Sequence, residues 1–132
     1  MQKHSEWLRF AQDDLKTAII VVKSEDIVVG SVLYHCQQAF EKILKAYLAY
    51  NKEEIRKTHD LVELVHLCAE LDQEFLQLLS DATELNPYAT KSRYPDAHFT
   101  MPYVPFAEWA VTQTKLVFIF VENKMEYDVD DN

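Results

Sequence analysis

The stretch VLYHCQQAFEKILKAYLAY, Val32 to Tyr50, decides the fold. With Val29 just ahead of it, Val32, Leu33, Cys36, Phe40, Ile43, Leu44, Tyr47 and Leu48 recur at three- and four-residue spacing, one stripe at 3.6 residues per turn. A stripe of that length has to be buried, which makes this the central helix. On another side, His35, Gln38, Lys42 and Lys45 fall within roughly 80° of one another, with Glu41 beside them. This polar stripe has two readings: a solvated face with Glu41 and Lys45 as an i,i+4 pair, or one wall of a binding site.

Working outward, Trp7, Leu8, Ala11, Leu15, Ala18, Ile19 and Val22 predict an amphipathic helix from Ser5 to about Lys23, with Ser5 as its N-cap. Asp13 and Asp14 face water or the next helix. The break Ser24-Glu25-Asp26 is short enough to force an antiparallel pair. Beyond the central helix, Asn51 to Lys57 reads as a charged loop. Thr58 stands where an N-cap belongs and Asp60 in the first turn, ahead of a third helix carrying Leu61, Leu64, Val65, Cys68 and Leu71. His59 either ties down this loop or serves as a ligand or acid–base group; His66 reads as a surface or packing residue. Asp72 caps a fourth helix with Phe75, Leu78, Leu79, Ala82 and Leu85 on its buried face, and Asn86-Pro87 ends it.

All four prolines lie between Pro87 and Pro105. The segment between them, YATKSRYPDAHFTMPYV, is the chain's one long loop, a place where function concentrates. Pro105 fits the first turn of a last helix with a core stripe of Phe106, Trp109, Ala110, Leu116, Val117, Phe120 and Val121. Phe118 and Ile119 widen its apolar surface, so part of Leu116 to Val121 either meets another subunit or belongs to the most buried helix.

These elements fit one all-α domain in 132 residues, an up-and-down bundle of about five helices over residues 1–125, followed by an acidic tail over 126–132. One glycine and 48% hydrophobic residues at helical spacing support that class. Cys36 and Cys68 read as reduced core thiols, with no metal or disulfide spacing. The opening MQKHSEWLRF is no signal segment and no window reads as a membrane span, so a cytoplasmic location is expected. The net charge of −9 excludes a generally basic nucleic-acid surface, so such a role needs a local site from Lys42, Lys45, Lys91 and Arg93. No Gly-rich phosphate loop or Ser-His-Asp arrangement is present.

Three blocks in order carry a family resemblance: His35-x-x-Gln38-Ala39-x-Glu41-Lys42-x-x-Lys45-Ala46, then Lys57-Thr58-His59-Asp60-Leu61, then Ala89-x-x-x-Arg93-Tyr94-Pro95-Asp96. Together with Trp7-x-x-x-Ala11-x-x-Asp14-Leu15-x-x-Ala18, they resemble the HEPN family, the higher-eukaryote and prokaryote nucleotide-binding domain. The resemblance implies a homodimeric helical bundle often encoded beside a minimal nucleotidyltransferase, in a toxin–antitoxin-like pair. It implies a ligand site of His35, Gln38, Lys42 and Lys45 with Tyr94 and Asp96 of the loop, taking a nucleotide, RNA or the partner. Arg93 and His98 also match the R-x4-6-H pattern of HEPN endoribonucleases. Imidazole would then move the proton of the RNA 2′-hydroxyl and guanidinium would stabilise the phosphorane, with no metal or other cofactor. Arg-Tyr-Pro-Asp, in contrast, resembles the branch in which no ribonuclease activity is implied. Arg93 pinned by Asp96 or Glu41 and a non-catalytic dimeric scaffold are the remaining readings.

Overall fold

The computed structural model describes residues 3–90 and 100–130, with side chains described as far as Met125. Five α-helices and two short 3-10 turns account for its regular structure, and no strand occurs among the described residues. Helix α1, His4–Val22, and helix α2, Val29–Tyr50, form an antiparallel pair: Lys45 lies over Trp7, and Asp14 reaches His35 and Lys42. Ser5 is not the cap. The helix begins one residue earlier, after an extended Lys3 with no side-chain cap.

Helix α2 ends in a Schellman turn. Glu53 N–H reaches back to the Leu48 carbonyl at 2.9 Å and Lys52 N–H to that of Ala49 at 3.0 Å. This geometry places Lys52 in the left-handed region, φ 61°, where glycine is normally found. The chain then runs back along α2, so that Gln37 Nε2 donates to the His59 carbonyl at 3.0 Å.

Helix α3 spans Leu61–Leu71, and its cap is Asp60 rather than Thr58. Asp60 Oδ1 accepts from the N–H groups of Val62 and Glu63 at 2.9 and 3.3 Å, and Thr58 instead joins the Asp60 N–H to the Glu63 carboxylate. Asp72 is a cap as expected, but it opens a 3-10 turn, Gln73–Leu78, before helix α4, Leu79–Leu85. Pro87 has no N–H to continue α4, and a second 3-10 turn, Asn86–Ala89, follows.

Helix α5, Val104–Asp130, runs alongside α2, with Thr114 against Cys36 and the Tyr50 hydroxyl donating to the Met125 carbonyl. Pro105 sits in its first turn. Its buried face is Ala107, Ala110, Val111, Thr114, Val117, Phe118, Val121 and Met125, an arc of roughly 120° on the helical wheel. Leu116 lies on the far side of that arc and is 53% exposed, so its assignment to the core stripe is corrected; Phe118 is the buried residue. Val104–Met125 is also long and apolar enough to cross a membrane, which corrects the expectation that no window reads as a span. Its buried arc packs into the bundle, as expected of a core helix.

Phe75 locks the centre between Tyr47 and Phe120, with ring centroids 4.4 and 5.0 Å away. Burial raises the Cys36 thiol to about 12 and pushes Cys68 up further, so both are inert packing groups. Lys124 of α5 clamps the α3–α4 corner through Asp72, at 2.8 Å, and Glu74.

Two outcomes follow. Replacing Lys52 by Gly relieves the left-handed conformation and raises unfolding stability by about 1 kcal/mol in urea titrations, whereas Lys52→Ala leaves it near wild type. The Lys124 ammonium, helped by the Glu74 N–H, holds Asp72 below the ordinary carboxylate range, and Asp72 and Glu74 hold Lys124 above its own. The Asp72 contribution is present above the unfolded carboxylate value and is lost as pH falls through the depressed folded one. The Lys124 contribution is lost only as pH rises through its elevated value. Lys124→Met is therefore least stable relative to wild type between about pH 5 and 9, and the two denaturation curves converge in acid.

Candidate functional site

The polar stripe of α2 is a seam between α1 and the segment that precedes α3. At its upper level Asp14 of α1 bridges two residues of the stripe. Oδ1 meets His35 Nδ1 at 2.8 Å, and Oδ2 accepts from Lys42 Nζ at 2.6 Å. All three side chains are half-buried or more. An aspartate on Nδ1 fixes the orientation of the imidazole.

One turn lower, Glu41 and Lys45 are 3% and 4% exposed and pair at 3.0 Å. Glu41 Oε1 also meets His59 Nδ1 at 3.0 Å, while Lys45 Nζ sits 5.3 Å from the centre of the Trp7 ring. Between the two levels, Gln38 Nε2 donates to Gln37 Oε1 at 2.8 Å, and Gln37, fully buried, holds the His59 carbonyl. Trp7 Nε1 is buried against this seam without an acceptor.

The predicted residues His35, Gln38, Lys42 and Lys45 are thus brought to one seam, but each is already engaged inside the chain. The reading of Glu41 and Lys45 as a solvated pair is corrected: α1 crosses over them at Trp7. Tyr94, Asp96, Arg93, His98 and Lys91 lie outside the described residues. Two carboxylates, Asp14 and Glu41, face two lysines, Lys42 and Lys45, so each lysine of the seam is matched by a carboxylate. The seam offers no ready-made anion platform.

Sequence reasoning missed Asp14 as a member of the site. The signal was present, because Trp7, Ala11, Asp14 and Ala18 fall within an arc of roughly 60° on α1. A single carboxylate on an otherwise apolar arc requires a cation opposite. His59 joins the site from the loop and ties it down through both its ring and its carbonyl. Among the described residues no group of His, Cys, Asp and Glu converges to hold a metal ion.

Known proteins place this architecture. The profile of the HEPN domain matches residues 4–124. The crystal structure of ST0689, an archaeal HEPN homologue, superposes with a TM-score of 0.73 at 24% identity, covering 95% of this chain and 99% of that one. No curated protein matches the sequence.

Removing one partner of the lower pair isolates a buried charge. Glu41→Gln is expected to cost about 3–5 kcal/mol, whereas Glu41→Leu with Lys45→Met, which removes both charges, costs far less. Equal losses from the single and the double variant in chemical denaturation would contradict this assignment. Asp14→Asn, at a half-buried site, costs about 1–2 kcal/mol and leaves the far-UV circular dichroism unchanged.

Proposed function

Since the chain belongs to the HEPN domain family, we propose that it acts as a protein-binding module, the cytoplasmic partner of a minimal nucleotidyltransferase in a toxin–antitoxin-like pair. The observation that carries this reading is the closed, charge-balanced seam in a chain of net charge −9. A phosphate-binding surface gains affinity from uncompensated cations. Here Lys42 and Lys45 are each committed to a carboxylate, so recognition of a folded protein fits better than recognition of RNA or a free nucleotide. The resemblance of the His35–Ala46, Lys57–Leu61 and Ala89–Asp96 blocks adds the nucleotidyltransferase as the partner class.

The module works as a homodimer in this reading. The α1–α5 face supports it: Leu15, Ile19, Phe118 and Ile119 line an apolar groove of about 420 Å³ with Lys16, Lys115 and Glu122 at its edge. Ile119 is 58% exposed, and Leu116 and Ile20 extend the same kind of surface. Both charge signs at the rim suit a two-fold contact, in which each surface meets itself.

Co-expression with the nucleotidyltransferase encoded by the adjacent gene should yield one complex that co-elutes on size exclusion; separate elution of the two proteins, or no such neighbour, defeats the proposal. In the absence of the partner, light scattering should give the mass of a dimer, and Leu116→Asp with Ile119→Asp the mass of a monomer. Cleavage of single-stranded RNA in EDTA, abolished by His98→Ala, would instead establish the ribonuclease reading.

A further inference from the structure

A second concave surface lies at the other side of α2, where the returning segment and α3 leave a groove of about 260 Å³. Its apolar lining is Leu48, Leu67 and Leu71, of which Leu71 is exposed at the rim. The walls carry Glu53, Glu54, Glu70 and Arg56. Arg56 lines the same groove, and its guanidinium is bonded to Glu63 at 3.1 Å. Among the described residues Glu53, Glu54 and Glu70 enter no ion pair. The groove therefore combines a leucine floor with three uncompensated negative charges.

The shape of that charge selects the ligand. A single metal ion needs donors converging on one point, and no such group exists among the described residues. Carboxylates spread along the walls of an apolar trough match a chain segment whose cations are spread likewise. The groove is also preformed. Glu53 is fixed by its own N–H on the Leu48 carbonyl, and α3 is fixed by the Asp60 cap, so binding does not have to order the loop first.

We propose that this groove docks a segment of a partner protein with a large aliphatic anchor, leucine or its like, flanked by lysine or arginine. The aliphatic side chain enters between Leu48, Leu67 and Leu71, and the flanking cations pair with Glu53, Glu54 and Glu70. The inference rests on the reading of this chain as a protein-binding module, and adds the chemistry of what it holds.

Selection of 12-residue peptides from a random library on the immobilised full-length protein tests it. The expected outcome is enrichment of sequences with a central Leu, Ile or Met and Lys or Arg on both sides. By fluorescence anisotropy such a peptide should bind about tenfold more weakly to the Glu53→Gln, Glu54→Gln, Glu70→Gln variant, the sum of three partly exposed charge pairs. A control variant with Glu6→Gln, Glu25→Gln and Glu84→Gln loses the same net charge elsewhere and should keep wild-type affinity. Leu71→Asn should weaken binding while the circular dichroism stays unchanged.

Enrichment of neutral or acidic peptides, no enrichment at all, or equal loss in the control variant overturns the proposal. So does full competition by millimolar magnesium or calcium chloride, which marks an ion site. The two readings separate in the same experiments. If the nucleotidyltransferase co-elutes unchanged with the groove variant, the groove is refuted as its dock and the functional reading stands. If the peptides bind the groove but no nucleotidyltransferase co-elutes, the functional reading fails and the groove stands.

Discussion

Helix α2 is enclosed on almost every side, and the rest of the structure depends on that enclosure. Phe40, Ile43, Leu44, Tyr47 and Leu48 meet α3, α5 and Phe75, and α1 closes another flank. A helix surrounded in this way cuts several of its polar residues off from water. Gln37, Glu41 and Lys45 are buried with it, and each must find a partner inside the chain. His59 from the returning segment supplies a partner to Gln37 and to Glu41, and Glu41 and Lys45 pair with each other. The seam is thus a consequence of the packing, and its residues serve the fold before they serve a ligand.

This shifts where binding energy can come from. A lysine already held by a carboxylate offers an incoming phosphate only the difference between two ion pairs, and a buried one must also be exposed first. Charge without an ion pair lies at other surfaces, among them the carboxylates of the α2–α3 groove and the lysines beside the apolar α1–α5 groove. Both are surfaces suited to protein partners. The HEPN fold accommodates this readily, because helices packed around a central one leave several inter-helix grooves with different chemistry.

The helices themselves were legible in the sequence because their signals are local. Apolar spacing gave α1, α2, α3 and α5, Asp72 marked a helix start, and Pro87 and Pro105 bracketed the long loop. The errors are also local in origin. Thr58 and Asp60 are two residues apart and both can cap, and only the position of Asn86, which bonds Leu61 N–H and Asp60, decides between them. Leu116 was assigned to the core by hydrophobicity, against a wheel position opposite Ala107 that already argued for exposure. The site was less legible. His35, Gln38, Lys42 and Lys45 were found as a set, but the pairing of His35 and Lys42 with Asp14 spans 21 and 28 residues of sequence and depends on how α1 crosses α2.

Why the chain retains two ionic contacts in this seam follows from what an apolar stripe leaves undetermined. Side chains at i, i+3 and i+4 repeat every turn, so α1 sliding by one turn along α2, about 5.4 Å, would still set alanines against apolar residues. Asp14 tolerates no such shift. At this register its two oxygens reach His35 and Lys42 together, and a slide of one turn either way carries it toward one of the two and away from the other. Glu41 does the same for the segment before α3, because only one placement of His59 satisfies both its ring on Glu41 and its carbonyl on Gln37. Buried ion pairs add little net stability, but breaking them is expensive, and that asymmetry penalises the wrong register more than it rewards the right one. The polar stripe of α2 therefore sets the alignment of three elements, and through the last of them fixes the wall that carries Glu53 and Glu54.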